Sequence, residues 1–171
     1  KGKEELNSII IFTSRKTTVK DLVRDLKKMD MDADGISSDL NQEEREEVLR
    51  RFKNKRLRIL VATDIISRGI DIDSIDLVIN YDVPNDPEDY VHRVGRTARA
   101  KSTGVALTLI DSKGIRDFQK IEQLIKKTVP KLPNPPDIGD GPEYKSGNSQ
   151  HRSGGNKKRN FNKKRNFKKK D

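Results

Sequence analysis

Cysteine is absent from all 171 residues. That excludes a disulfide framework and any thiolate that could bind zinc or act as a nucleophile. The composition is compatible with an intracellular protein, and the expected location is the cytoplasm. Long apolar runs are missing too. The opening KGKEELNSIIIF holds only a few consecutive apolar residues and no cleavage-site pattern. It is neither a signal peptide nor a membrane span, and no later stretch could cross a bilayer, so no membrane partner is expected. The abrupt start, one short charged segment before a strand-like run, reads as a piece of a longer protein.

Apolar residues are scarce, 31% against 37% charged, and mean hydropathy is −0.90. This is too polar for one compact domain throughout, so the length suggests one domain with a sizeable core and an unfolded remainder. Charge is distributed to match. Eight Lys and three Arg against two acids give Glu143–Asp171 a net +9 of the chain's +10, leaving +1 for residues 1–142. A localised basic block points to a polyanion, nucleic acid first.

Ser8–Thr13 (SIIIFT) and Arg58–Thr63 (RILVAT) are β-branched apolar runs of the kind buried on both faces of a parallel sheet. Ala33–Ile36, Leu77–Asn80 and Gly104–Ile110 read as further strands. Thr18 followed by Asp21 predicts a helix start, and Val19, Leu22, Val23, Leu26 and Met29 supply its apolar stripe. Asn41 with Glu44 predicts a second start, and Asp86-Pro87-Glu88 a third. A last helix is expected over 113–127. Strands alternating with helices imply an α/β fold of three layers around a mostly parallel sheet. Residues 1–129 form that domain. Residues 130–142, with Pro130, Pro133, Pro135, Pro136 and Pro142, read as an extended linker. Residues 143–171 form a basic tail in which NKKRNF occurs twice in tandem, expected to be disordered in isolation.

Ligands of open α/β sheets gather at the carboxyl ends of strands. Three polar clusters fall there: Thr13–Lys16, Ala62–Asp71, and His92–Arg99. In the last, Arg93, Arg96 and Arg99 recur every third residue, so their guanidiniums can converge on phosphate oxygens. A solvated basic helix face would show the same spacing. Asp71 beside Gly69 suits a ribose hydroxyl against a tight loop, although Asp64 and Asp71 would equally serve as helix caps.

With those residues in place, a family resemblance emerges. ATDIISRGIDID at Ala62–Asp73 and HRVGRTAR at His92–Arg99 resemble motifs V and VI of DEAD-box ATP-dependent RNA helicases. IIIFTSRK at Ile9–Lys16 resembles motif IV, and Gln42–Arg45 the glutamine–arginine motif. Order and spacing agree over roughly residues 5–128, as do VINYDVP and the YVHR lead-in. The chain departs from the family at Ser37–Leu40, where a His is common.

The resemblance implies a C-terminal RecA-like lobe. ATP with Mg²⁺ would be shared with an N-terminal lobe, the partner within the same protein. Arg96 and Arg99 would be the arginine fingers at the γ-phosphate, Asp71 the ribose carboxylate, and His92 and Arg93 the link to the first lobe's catalytic motifs. Ser14, Arg15, Thr63 and Gly69 would lie along the RNA backbone, with Arg45 organising the loops that face it. Such contacts carry little base identity. Neither GxxxxGK[ST] nor the DEAD tetrapeptide occurs in the chain, so it is not expected to hydrolyse ATP alone. In the tail, Lys157, Lys158, Arg159, Phe161, Lys163, Lys164, Arg165 and Phe167 combine cations for phosphate with rings for base stacking. A solubilising polycation is the plainer reading of that tail. A non-catalytic RNA-binding module and a DNA-helicase lobe of the same superfamily are the competing functions.

Overall fold

In a computed structural model, residues 6–64, 75–97 and 104–144 are described. Among the described residues five four-residue strands and four helices occur in the order β1 (Ile9–Phe12), α1 (Lys16–Lys28), β2 (Ala33–Ile36), α2 (Gln42–Lys53), β3 (Ile59–Ala62), β4 (Leu77–Asn80), α3 (Pro87–Val94), β5 (Val105–Thr108) and α4 (Ile115–Ile125). All strand pairs are parallel, in the order β2-β3-β1-β4-β5. The α/β expectation holds, and the sheet is parallel throughout rather than mostly so.

Alternation along each strand divides the core. Ile9, Ile11, Ile59 and Val61 point to one face, where Val19, Leu22, Val23 and Leu26 of α1 cover them. Gly35 lets α1 sit close, because a Cβ there would lie 2.7 Å from Val19 Cγ1 and 3.0 Å from Val23 Cγ2. Ile10, Phe12, Leu60 and Ala62 point to the other face, against Val48 and Phe52 of α2. A third cluster joins α3 to α4 through Tyr90, Phe118 and Ile121.

Two helix starts agree with expectation. Asn41 accepts from Glu44 N–H at 2.9 Å while Glu44 returns a bond to Asn41 N–H, a full capping box. Asp86 caps α3 ahead of Pro87. The first start is corrected: α1 begins at Lys16 with Arg15 at its N-cap and no side-chain cap, so Thr18 lies inside the helix. The cause is tertiary. Ser14 is held by Asp82 across the sheet edge, which turns the chain into the helix before Thr18 is reached. The proline-rich stretch 130–142 contains no helix or strand and is exposed, while Val129 before it and Tyr144 after it pack against α4.

Candidate functional site

The parallel register places Ile36, Ala62, Phe12, Asn80 and Thr108 side by side at the carboxyl edge of the sheet. Whatever follows each of these residues meets at one rim. After β1 come Thr13 and Ser14, after β3 come Thr63 and Asp64, and after β4 come Tyr81 and Asp82. Asp82 ties two of these ends together. Its carboxylate accepts from Thr13 Oγ1 at 2.7 Å, from Ser14 Oγ at 2.7 Å, and from Ser14 N–H at 2.9 and 3.0 Å.

Arg93, in the last turn of α3, is the hub. It is fully buried, and its fork meets Asp64 with two bonds, Nε to Oδ1 at 2.6 Å and Nη2 to Oδ2 at 2.8 Å. Nη1 donates to the Asp82 carbonyl at 3.0 Å and to Asn80 Oδ1 at 3.4 Å. Nη2 lies 3.7 Å from the Asp82 carboxylate, and the guanidinium sits 5.6 Å from the centre of the Phe12 ring. A buried cation is tolerable only when paired and hydrogen-bonded in this way. Asn80 continues the chain of bonds, donating through Nδ2 to Thr108 Oγ1 at 3.0 Å. One side chain from α3 thus locks the ends of β3, β1 and β4, and through Asn80 reaches β5.

The turn after α3 carries Arg96. Gly95 N–H bonds Val91 O at 2.8 Å, Arg96 N–H bonds Arg93 O at 3.2 Å, and Thr97 N–H bonds Val94 O at 3.0 Å. Thr97 is buried against Gly104, where a Cβ would lie 2.5 Å from Thr97 Cβ and 2.8 Å from Ile75 O. Arg93 on one side and Gly104 on the other therefore bound a short turn, with Arg96 half-buried on it and His92 exposed in the last turn of α3. The three-residue spacing does not bring Arg93 to the surface with Arg96. Arg93 is spent inside, and Arg99 lies outside the described residues.

Among the other expected contacts, Ser14 and Arg15 are exposed at the head of α1, Ser14 already bonded to Asp82. Thr63 is buried, and its Oγ1 has no hydrogen-bond partner among the described residues; the same is true of Arg45 Nε in the first turn of α2. Both atoms are buried, near the ends of β3 and β2. Lys16 and Lys20 both reach Asp39, whose carboxyl their hydrogen bonds hold down at about 2 from 3.8. That bridge ties the Ser37–Leu40 segment to α1. Gly69 and Asp71, and the tail residues Lys157, Lys158, Arg159, Phe161, Lys163, Lys164, Arg165 and Phe167, fall outside the described residues. Among those that are described, no group of three or more His, Asp or Glu is placed to hold a metal ion.

Sequence reasoning missed the roles of Asp82, Asn80 and Thr108 and treated Asp64 as a cap. The available signal for Asp82 and Asn80 was position, each ending or following a strand within VINYDVP.

A family model, the helicase conserved C-terminal domain, matches residues 2–101, more than half of the chain. Among curated relatives, the ATP-dependent RNA helicase DBP8 of Candida albicans is 46% identical over 123 residues, covering 72% of this chain and 28% of its own length. Among solved structures, a DEAD box protein from Methanococcus jannaschii superimposes with a TM-score of 0.69 at 41% identity, over 73% of this chain and 34% of that one. Dbp5 L327V of S. cerevisiae, solved with RNA and ADP BeF3, gives 0.67 at 32% identity over 71% and 33% of the two chains. The chain thus spans about a third or less of the length of these proteins.

Proposed function

The chain belongs to the helicase conserved C-terminal domain family, as the C-terminal RecA-like lobe of a DEAD-box protein, and from that premise we propose that it completes an ATP-dependent RNA helicase. The proposed whole protein couples ATP binding and hydrolysis to local separation of RNA strands. This lobe supplies the charge that answers the transferring phosphoryl group and half of the RNA-binding surface.

The observation that carries this reading is the half-exposed Arg96 on the turn that directly follows the buried Arg93–Asp64 fork. Phosphoryl transfer needs a phosphate cradle, Mg²⁺ and neutralising cations, arranged before charge develops. Among the described residues only the last requirement is met: they offer a guanidinium on the turn after α3, and no group placed to hold a metal ion. ATP with Mg²⁺ would therefore be held mainly by an N-terminal lobe, with Arg96, and by resemblance Arg99, reaching the γ-phosphate and Asp71 the ribose. Bound nucleotide supplies the phosphoanhydride whose hydrolysis resets the closed state. Arg96 stabilises the charge of that step, and Arg93 and Asp64 keep Arg96 in place. His92, exposed in the same turn of helix, faces outward for contact with the other lobe.

RNA would run along the rim, near Ser14, Arg15, Thr63 and Gly69, with Arg45 behind them. Exposed Ser14 and Arg15 at the head of α1 support this placement. Dbp5, related in fold and at 32% identity, has been solved with RNA and ADP BeF3 bound. The basic tail would tether RNA, and the cytoplasm is the proposed location.

The test is Arg96→Ala in the full-length protein. An arginine finger contributes roughly 10³–10⁵ in rate, so RNA-stimulated ATP turnover should fall about a thousandfold or more while the melting temperature stays put. Parental turnover in that variant would sink the assignment.

A further inference from the structure

Beyond α4 the chain folds back over the lobe. Lys126 turns it in left-handed backbone at φ 52°, and Val129 and Tyr144 pack against the α3–α4 cluster while 132–143 between them are exposed. Glu122, only 9% exposed, is the point of closure. Its carboxylate accepts from Val129 N–H at 2.8 Å, from Lys131 Nζ at 2.6 Å and from Tyr144 Oη at 2.6 Å. The Lys131 ammonium lies between two rings, 5.1 Å from the centre of Phe118 and 4.2 Å from that of Tyr144. Burial by itself would raise the Glu122 carboxyl, but the donors from Lys131, Tyr144 and Val129 together hold it below its usual value. Burial and the neighbouring Glu122 carboxylate both raise the Tyr144 hydroxyl.

This closure reaches α3 at two places. Phe118 stands edge to face with Tyr144 at 6.1 Å and with Tyr90 of α3 at 5.8 Å. Further along α3, Val91, Val94 and Gly95 face Ile125, Val129 and Pro130 across a cavity of about 390 Å³. The helix is therefore gripped at Tyr90 and has open space beside the end that leads into the Arg96 turn.

We propose that Glu122, Lys131 and Tyr144 are positioning residues: they pin residues 129–131 and Tyr144 against α3 and α4 as a strap anchored at its two ends, and the anchored Val129–Pro130 end limits how far the Arg96 turn can move into the cavity beside it. A single exposed ion pair would hold little. Here a nearly buried carboxylate is satisfied by three donors, one of them flanked by two aromatic rings, and such networks hold a geometry more firmly than isolated pairs. Of the strap's anchors, Lys131 alone falls in the stretch that composition assigns to a linker; Glu122 and Val129 fall in the domain and Tyr144 in the tail. The strap's importance for turnover rests on the role proposed for Arg96; its effect on the turn does not.

The experiment is amide hydrogen exchange on residues 1–171 carrying Tyr144→Phe or Lys131→Met, neither of which disturbs the sheet core. The Gly95, Arg96 and Thr97 amides should exchange about tenfold faster, with β1 and β3 unchanged. Faster exchange confined to residues 128–144 would overturn the proposal. In the full-length protein the same variants should lower kcat for RNA-stimulated ATP turnover at unchanged KM for ATP, and Lys131→Arg should restore it. Unchanged kcat in Tyr144→Phe and Lys131→Met would also overturn it. A parental protein with no ATP turnover would instead sink the helicase reading, and the exchange rates alone would then decide for or against the strap.

Discussion

Arg93 and Arg96 stand three residues apart and have opposite duties. Arg93 has no exposed surface and spends its donors on Asp64, Asn80 and the Asp82 carbonyl. Arg96 lies half-exposed on the turn that Arg93 supports. Their substitutions should therefore separate cleanly. Breaking a buried pair by removing one partner costs about 3–5 kcal/mol. Asp64 and Asp82 are 23% and 34% exposed, so water can partly resolvate them, and Arg93→Ala should fall near the lower end, about 3 kcal/mol. Urea denaturation measures this directly; a loss under about 1 kcal/mol would show that the fork is not what joins the strand ends. Arg93→Lys should recover only part, because an ammonium cannot reproduce the two-bond geometry. Arg96→Ala, by contrast, should leave the midpoint unmoved and abolish most turnover.

At the scale of elements, three helices end alike and none uses glycine. Arg56 N–H bonds Arg51 O at 2.9 Å, Met31 N–H bonds Leu26 O at 3.1 Å, and Lys127 N–H bonds Glu122 O at 3.2 Å, each reaching five residues back. The residue before each donor, Lys55, Asp30 and Lys126, takes left-handed backbone at φ 56°, 56° and 52°. A side chain there carries a steric cost of about 1–2 kcal/mol that glycine avoids. Lys55→Gly, on the exposed end of α2, should raise stability by about 1 kcal/mol, partly offset by the freer unfolded chain. A lowered melting temperature would mean that the Lys55 side chain makes a contact worth more than the strain.

The same endings explain what the sequence concealed. β2 and β4 were legible to the residue, and the Asn41–Glu44 and Asp86-Pro87 starts were legible because caps are local chemistry. The α1 start was misplaced, since Asp82, 68 residues from Ser14, decides where that helix begins. Helix ends without glycine leave no local mark. Likewise a three-residue spacing puts Arg93 and Arg96 near one another but does not say which is swallowed by the fold. The strap was hidden for the same reason. Glu122 and Tyr144 are 22 residues apart, and proline content describes the backbone between them without describing where it docks.

Over the whole molecule, charge is divided at one point. Residues 1–142 are nearly neutral at +1, while the eleven Lys and Arg of Glu143–Asp171 all follow Tyr144, the last residue of the strap. Cutting after Tyr144 therefore removes every tail cation and keeps the Glu122 closure. On single-stranded nucleic acid, log affinity falls with log salt at a slope of about 0.7 per phosphate neutralised. If roughly half of the tail cations engage phosphates, residues 1–171 should show a slope steeper by about 4 than residues 1–144, and much tighter binding at low salt. Phe161 and Phe167 would add stacking, which is far less sensitive to salt. Replacing both with Ala should lower affinity at every salt concentration and leave the slope alone. Fluorescence anisotropy with a labelled single-stranded RNA over a salt series measures all three proteins. Equal slopes and equal affinities for 1–171 and 1–144 would remove the tether from the mechanism, and the rim around Ser14, Arg15, Thr63 and Arg45 would then have to hold RNA without it.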